Sequence, residues 1–115
     1  MKKSVVCSAA LLALSSIGFS VGANAADDAV LARGKTLFTG AATPIACAVC
    51  HTLADAGTTG AIGPNLDELK PAKDVVLKVL KEGMGAMPSF AATLSDEDRL
   101  ALAEYVVSAT GGASN

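Results

Sequence analysis

Cys47-Ala48-Val49-Cys50-His51 is the stretch whose reading decides the fold. On a helix, residues three apart stand one turn apart on one face, so Cys47 and Cys50 present two thiols side by side. The next residue, His51, then turns an imidazole toward the same side. C-x-x-C-H at this spacing is the attachment sequence of haem c, in which each thiol adds to one of the two vinyl groups and the histidine ligates the iron. Cys47 and Cys50 are therefore the expected thioether donors and His51 the expected proximal ligand. His51 is the single histidine of the chain, so no other imidazole competes for that role.

Other uses of the two cysteines fit less well. A structural zinc site needs four ligands, usually Cys or His, and beyond the first 25 residues the chain offers only Cys47, Cys50 and His51. A redox dithiol of the thioredoxin kind sits on a βαβ pattern, and no convincing strand is legible here. A disulfide could form in an exported chain, yet one spanning so short a loop removes little unfolded-state entropy.

The opening residues read as an address. Lys2 and Lys3 precede an apolar run from Val5 to about Val21, and Ala23-Asn24-Ala25 has the small-x-small pattern cut by a signal peptidase. A membrane anchor would need roughly 20 continuous apolar residues, whereas Ser8, Ser15, Ser16 and Gly18 interrupt this run. Ser4-Val5-Val6 before Cys7 is not a lipobox. Residues 1–25 are thus an expected cleaved signal peptide, and 26–115 a single exported domain. Export through a bacterial inner membrane places it in the periplasm, with no stable membrane insertion after cleavage.

A 90-residue domain buries a modest core and profits from a staple or a cofactor. Its only aromatics are Phe38, Phe90 and Tyr105, and a large apolar cofactor would supply the missing core volume. Lys2 and Lys3 are two of the 9 basic side chains; the remaining 7 face 11 acidic ones, a formal charge of −4. That balance argues against nucleic acid and against an anionic membrane surface as partners. No lysine cluster flanks the cysteines, so strong steering toward an acidic partner is not expected.

The rest of the chain reads as helices and loops, all-α in class. Residues 29–39 form a first helix with Asp27 and Asp28 at its N-terminus, and Val30, Gly34, Leu37 and Phe38 share one face. A short helix covers 46–53, followed by a polar, Gly-rich loop over 54–65, longer than most connections. Pro71 can open the next helix, with Val75, Val76, Val79 and Leu80 on its buried face and Gly83 as its stop. Residues 84–94 read as an extended loop. Ser95-Asp96-Glu97-Asp98 caps a last helix, where Leu102, Val106 and Ala109 make a stripe beside Tyr105, and Gly111-Gly112 ends it. This amounts to about four short helices around two long loops, and loops of that kind carry function.

Met84 and Met87 lie in the second loop, Met87 falling 36 residues after His51. Methionines often serve as soft core fillers, but this loop is non-helical and Gly-flanked, so they sit on no packing stripe. Met87 is the better candidate for the second axial ligand. Pro88 stiffens the chain directly after it, whereas Met84 lies loosely between Gly83 and Gly85.

Over essentially all of 26–115 the chain resembles small bacterial class I cytochromes c. The successive marks are Gly34 and Phe38 in G-x-x-x-F, the CAVCH motif, the Gly63-Pro64-Asn65-Leu66 turn, Ala86-Met87-Pro88-Ser89-Phe90, and Leu102-Ala103-Glu104-Tyr105-Val106 in the last helix. The resemblance implies a class I cytochrome c fold wrapped around one covalently bound haem. It places Gly34 and Phe38 against the last helix near Tyr105, and Pro64 beside His51, where a backbone carbonyl accepts the Nδ1 proton and tunes the ligand. Met87 falls on the family's axial methionine.

Ligation by His51 and Met87 would leave the iron no open position, which implies an electron carrier and not an enzyme. Its partners would be redox proteins: a dehydrogenase or reductase as donor, an oxidase or another cytochrome as acceptor. They would meet it at an exposed edge near Ala46, Val49 and the Met87 loop. A second reading is the electron-accepting cytochrome subunit of a periplasmic dehydrogenase, for example a sulfite dehydrogenase. A third, ligand binding or peroxidase activity, requires Met87 to be absent or easily displaced.

Overall fold

Helix α1 runs over Ala23–Phe38, starting six residues before the expected Ala29. Ala, the strongest helix former, supplies three of its first four residues and carries the helix upstream. Asp27 and Asp28 consequently lie in its second turn and do not mark its N-terminus. The structure, a computed structural model, describes residues 23–41 and 46–114. The apolar run of the expected signal peptide lies outside the described residues, and the Ala23-Asn24-Ala25 site falls on the first turn of α1.

Four further α-helices follow: α2 (Cys47–Cys50), α3 (Leu66–Leu69), α4 (Lys73–Glu82) and α5 (Asp96–Thr110). The count exceeds the expected four because α3 is a single turn, too short to show a period. It forms because the Asn65 side chain accepts the Asp67 N–H at 3.0 Å and caps its start. The helix expected over 46–53 stops at Cys50, since His51 takes an extended conformation (φ −114°, ψ 139°). Two short strands that the pattern did not reveal come next: β1 (Thr52–Leu53) pairs antiparallel with β2 (Thr58–Thr59). A 3-10 turn over Ala54–Ala56 and Gly57, at φ 67°, join them. The expected 54–65 loop is therefore partly ordered structure.

Packing centres on the crossing of α1 and α5. Gly34 allows the close approach: a Cβ there would fall onto the Ala101 carbonyl oxygen and 2.5 Å from the Tyr105 Cβ. One turn on, Phe38 meets Tyr105 edge to face, with ring centroids 5.9 Å apart. Gly34, Leu37 and Phe38 are buried on one face of α1 as expected, and only Val30 departs from it. Leu31, not the exposed Val30, packs with Leu37 and Phe38.

Helix α5 begins at the Ser95 cap, whose hydroxyl accepts the Asp98 N–H at 3.1 Å, and ends at Gly111 (φ 72°). Leu102 and Val106 are buried as expected, but so are Ala101, Ala103, Tyr105 and Val107. The apolar stripe widens because α1, α3 and α4 all pack against this one helix. Helix α4 stops at Gly83 (φ 77°) and buries Leu80, with Val76 and Val79 half-buried. Val75, expected on the buried face, points outward. No helix among the described residues is long and apolar enough to cross a membrane.

Candidate haem site

The single turn of α2 closes on itself, the His51 N–H donating to the Cys47 carbonyl at 2.9 Å. The chain leaves in extended form, turns through the β1–β2 hairpin, and comes back across α2. Two glycines make the return possible. A Cβ at Gly60 would lie 2.7 Å from the His51 nitrogen and the Val49 oxygen, and one at Gly63 would lie 2.6 Å from the His51 Cε1. Neither position tolerates a side chain without displacing backbone or ring. The Gly63 N–H donates to the Cys50 carbonyl at 2.7 Å and fastens the loop to the motif.

His51 is buried, and its Nδ1 lies 2.8 Å from the Pro64 carbonyl oxygen. A carbonyl only accepts, so Nδ1 is the donor, and in the neutral imidazole the lone pair lies on Nε2. Among the described residues the ring makes no hydrogen bond through Nε2. An imidazole so oriented is a metal ligand in waiting. Thr58 supports the same segment: its hydroxyl donates to the His51 carbonyl at 2.9 Å and accepts the Leu53 N–H at 3.1 Å.

Both cysteines are free and half-buried. Burial pushes the Cys47 thiol up to about 11, so it stays protonated, unlike the thiolate that redox dithiols need. The two methionines separate clearly. Met84 and Met87 exchange backbone hydrogen bonds of 3.0 and 2.9 Å around Gly85 (φ 58°) and Ala86, a tight turn that pairs their backbones. The Met84 side chain is 68% exposed, whereas Met87 is half-buried and packs on the core cluster, as do Cys47 and Ala48. That cluster includes Leu53, Leu66, Leu80, Phe90 and Leu94. Two one-turn-spaced thiols, an imidazole with a free Nε2 and a half-buried thioether fit haem c as a donor set. Among the described residues no three His, Cys, Asp or Glu side chains gather as for a bare metal ion.

Several polar supports were not legible in the sequence. Asp55, in the 3-10 turn, accepts the Tyr105 hydroxyl at 2.6 Å and the Lys35 ammonium at 3.1 Å, tying the hairpin to both α1 and α5. The Tyr105 hydrogen bond first, and Lys35 after it, hold the Asp55 carboxyl below its ordinary range. Burial, then Asp55, pushes the Tyr105 hydroxyl up. Asp67 accepts the Ala54 N–H at 2.8 Å and joins α3 to the hairpin. Arg99, buried at the start of α5, donates to loop carbonyls beyond Met87. The closely set pair Gly60 and Gly63 was the one available signal for the returning loop; the polar ties join residues far apart in sequence and left none.

A one-turn C-x-x-C-H helix, an imidazole oriented by a backbone carbonyl and an α1–α5 crossing through Gly34 characterise a small monohaem class I cytochrome c. Residues 29–106 match the family described as cytochrome c oxidase, cbb3-type, subunit III, and the chain belongs to that family. Among solved structures it is similar to the c-type cytochrome SorU from Sinorhizobium meliloti, with 44% identity and a TM-score of 0.68. That match covers 76% of this chain and 99% of SorU. No curated protein matches the chain significantly. The family implies covalently bound haem c, redox partners and the role of an electron-transfer cytochrome.

Proposed function

We propose that this chain is a periplasmic carrier of single electrons, its domain of residues 26–115 released from a signal peptide of residues 1–25. Cys47 and Cys50 would hold one haem c by thioether bonds, with His51 and Met87 as the ligands of its iron. The observation that carries the reading is the His51–Pro64 contact, which leaves Nε2 as the donor atom beside two available thiols. When bound, haem c supplies a one-electron ferric/ferrous couple.

The protein's part is to hold that couple. The Pro64 carbonyl fixes the tautomer and the ring orientation of His51. Gly63 lies against the ring and limits its rotation. Met87 contributes a weak, soft donor that raises the potential relative to a second imidazole. With His51 and Met87 both ligating, no position would remain open for a substrate, which favours a carrier over a peroxidase. Val49 of the C-x-x-C-H turn and Ile62 of the loop that carries Pro64 are 64% and 71% exposed, and Met84 of the loop that carries Met87 is exposed as well. Exposed apolar side chains of this kind suit brief, weak docking of a redox protein.

The family's description as an oxidase subunit favours a second reading, a cytochrome held within an oxidoreductase complex. Gel filtration of the protein drawn from native cells separates the two: a lone monomer supports the free carrier, and co-migration with a larger chain supports the subunit. Covalent attachment is tested by expression with a haem-ligation system and denaturing mass measurement. The wild type should retain one haem per chain, and a double Cys47→Ala, Cys50→Ala variant none.

A further inference from the structure

The segment that carries Met87 has little regular structure of its own. Between Gly83 and Leu94 its one ladder is the Met84–Met87 pair. Two ties hold it to α4: the Phe90 N–H donates to the Leu80 carbonyl at 2.8 Å, and the Ser89 hydroxyl donates to the Lys81 carbonyl at 2.5 Å. Within the segment the Phe90 carbonyl accepts the Thr93 and Leu94 N–H groups at 3.2 and 3.0 Å, and the ties that reach its far end from α5 side chains come from one residue. Arg99 reaches from the first turn of α5 and donates through Nη1 to the carbonyls of Phe90 (3.4 Å), Ala91 (3.3 Å) and Leu94. Its Nη2 pairs with Asp96.

Arg99 is buried, whereas the Asp96 side chain is almost wholly exposed. The ion pair alone could form in solvent, so it does not account for the burial. A desolvated guanidinium is costly unless its donors are used, and here three of its acceptors lie on the methionine loop. Phe90 stands three residues after Met87, and Pro88 stiffens the backbone between them. Arg99 therefore gathers the far end of the loop at one fixed point of the fold.

We propose that Arg99 is a positioning residue for Met87: it holds the loop closed and sets how readily an outside ligand displaces the thioether. The inference rests on Met87 being the axial ligand. Opening the loop would break the guanidinium–carbonyl bonds and withdraw the Met87 thioether from the haem iron it would ligate. An external ligand then binds with an apparent affinity scaled by the fraction of open protein.

The test is titration of ferric, haem-loaded protein with imidazole, followed by the Met–iron charge-transfer band. Arg99→Leu should bind imidazole at least ~10-fold more tightly than wild type, a shift of ~1.4 kcal/mol in loop closure. Arg33→Leu is the control. It removes the bidentate Arg33–Asp98 pair from the same end of α5 without touching the loop, and should stay within about twofold of wild type. If Arg99→Leu does not accumulate, Arg99→Gln should shift affinity the same way. Wild-type imidazole affinity in either folded Arg99 variant, with the band present in wild type, overturns the inference alone. Absence of the band from the wild type overturns the Met87 assignment and the inference with it.

Discussion

The Nδ1 of His51 stands 2.8 Å from the Pro64 carbonyl oxygen, while Gly63, the residue before that proline, lies against the same ring. One short loop thus fixes the tautomer of the imidazole and restricts its plane. Gly63→Ala should force the ring or the loop to move, because the new Cβ would fall 2.6 Å from Cε1. The expected cost is ~1–3 kcal/mol of overpacking strain. The holoprotein should show a lowered thermal midpoint and an altered reduction potential, measured against a Gly57→Ala control. Gly57 meets nothing within 4 Å of a built Cβ, though its φ of 67° adds modest strain of its own.

The α1–α5 crossing is a second sensitive contact. Gly34→Ala would drive a methyl group into the Ala101 carbonyl and the Tyr105 side chain. A loss of ~1–3 kcal/mol is expected, which for a domain of this size lowers the midpoint by about 4–8 °C per kcal/mol. Calorimetry checks it; an unchanged midpoint would mean that the helices do not cross there.

The Asp55–Tyr105 bond gives a pH signature of known sign. Asp55 is depressed when folded, so its contribution is present above the ordinary carboxylate value of ~3.9 and is lost as pH falls through the lower folded value. Tyr105 is raised when folded, so its contribution is present below the ordinary value of ~10 and is lost as pH rises beyond it. Tyr105→Phe should therefore destabilise most between about pH 4 and pH 10 and show a flatter acid limb than wild type. Denaturant unfolding across pH measures this, and parallel wild-type and variant curves would refute it.

Lys70 is the one described residue other than glycine at positive φ, 45°, where it ends α3. Its side chain is exposed, so Lys70→Gly relieves backbone strain without removing core packing. Relief of ~1–2 kcal/mol of left-handed strain against the ~0.5–1 kcal/mol entropic cost of glycine gives a net stabilisation of up to about 1 kcal/mol, read as a raised midpoint in urea.

How much of this was legible in sequence followed the length of each element. Helix α5 was readable because Ser95 and Gly111 mark both ends and its apolar residues keep a helical period. The helical turn at α2 was readable from the C-x-x-C-H spacing, although the expected helix over 46–53 overran its end at Cys50. Strands of two residues, Thr52–Leu53 and Thr58–Thr59, have no period to read, and α3 is a single turn. The start of α1 was misplaced because paired aspartates resemble an N-terminus while the preceding alanines extend the helix. Val30 and Val75 were assigned to buried faces by spacing; the rest of each face is buried or half-buried, but these two lie at its edge and face solvent. Asp55 and Arg99 look like surface charges in the sequence. Their roles depend on partners that folding brings in, Tyr105 for one and the carbonyls of the methionine loop for the other.

The most direct measurement of the central claim is an anaerobic spectroelectrochemical titration of haem-loaded residues 26–115, with Met84→Ala and Met87→Ala beside the wild type. The account predicts a reversible one-electron transition with one covalent haem per chain. The ferric Met–iron band should be kept in Met84→Ala and lost in Met87→Ala, with a lower potential in the latter. A Met87→Ala protein that keeps both the band and the wild-type potential would contradict it.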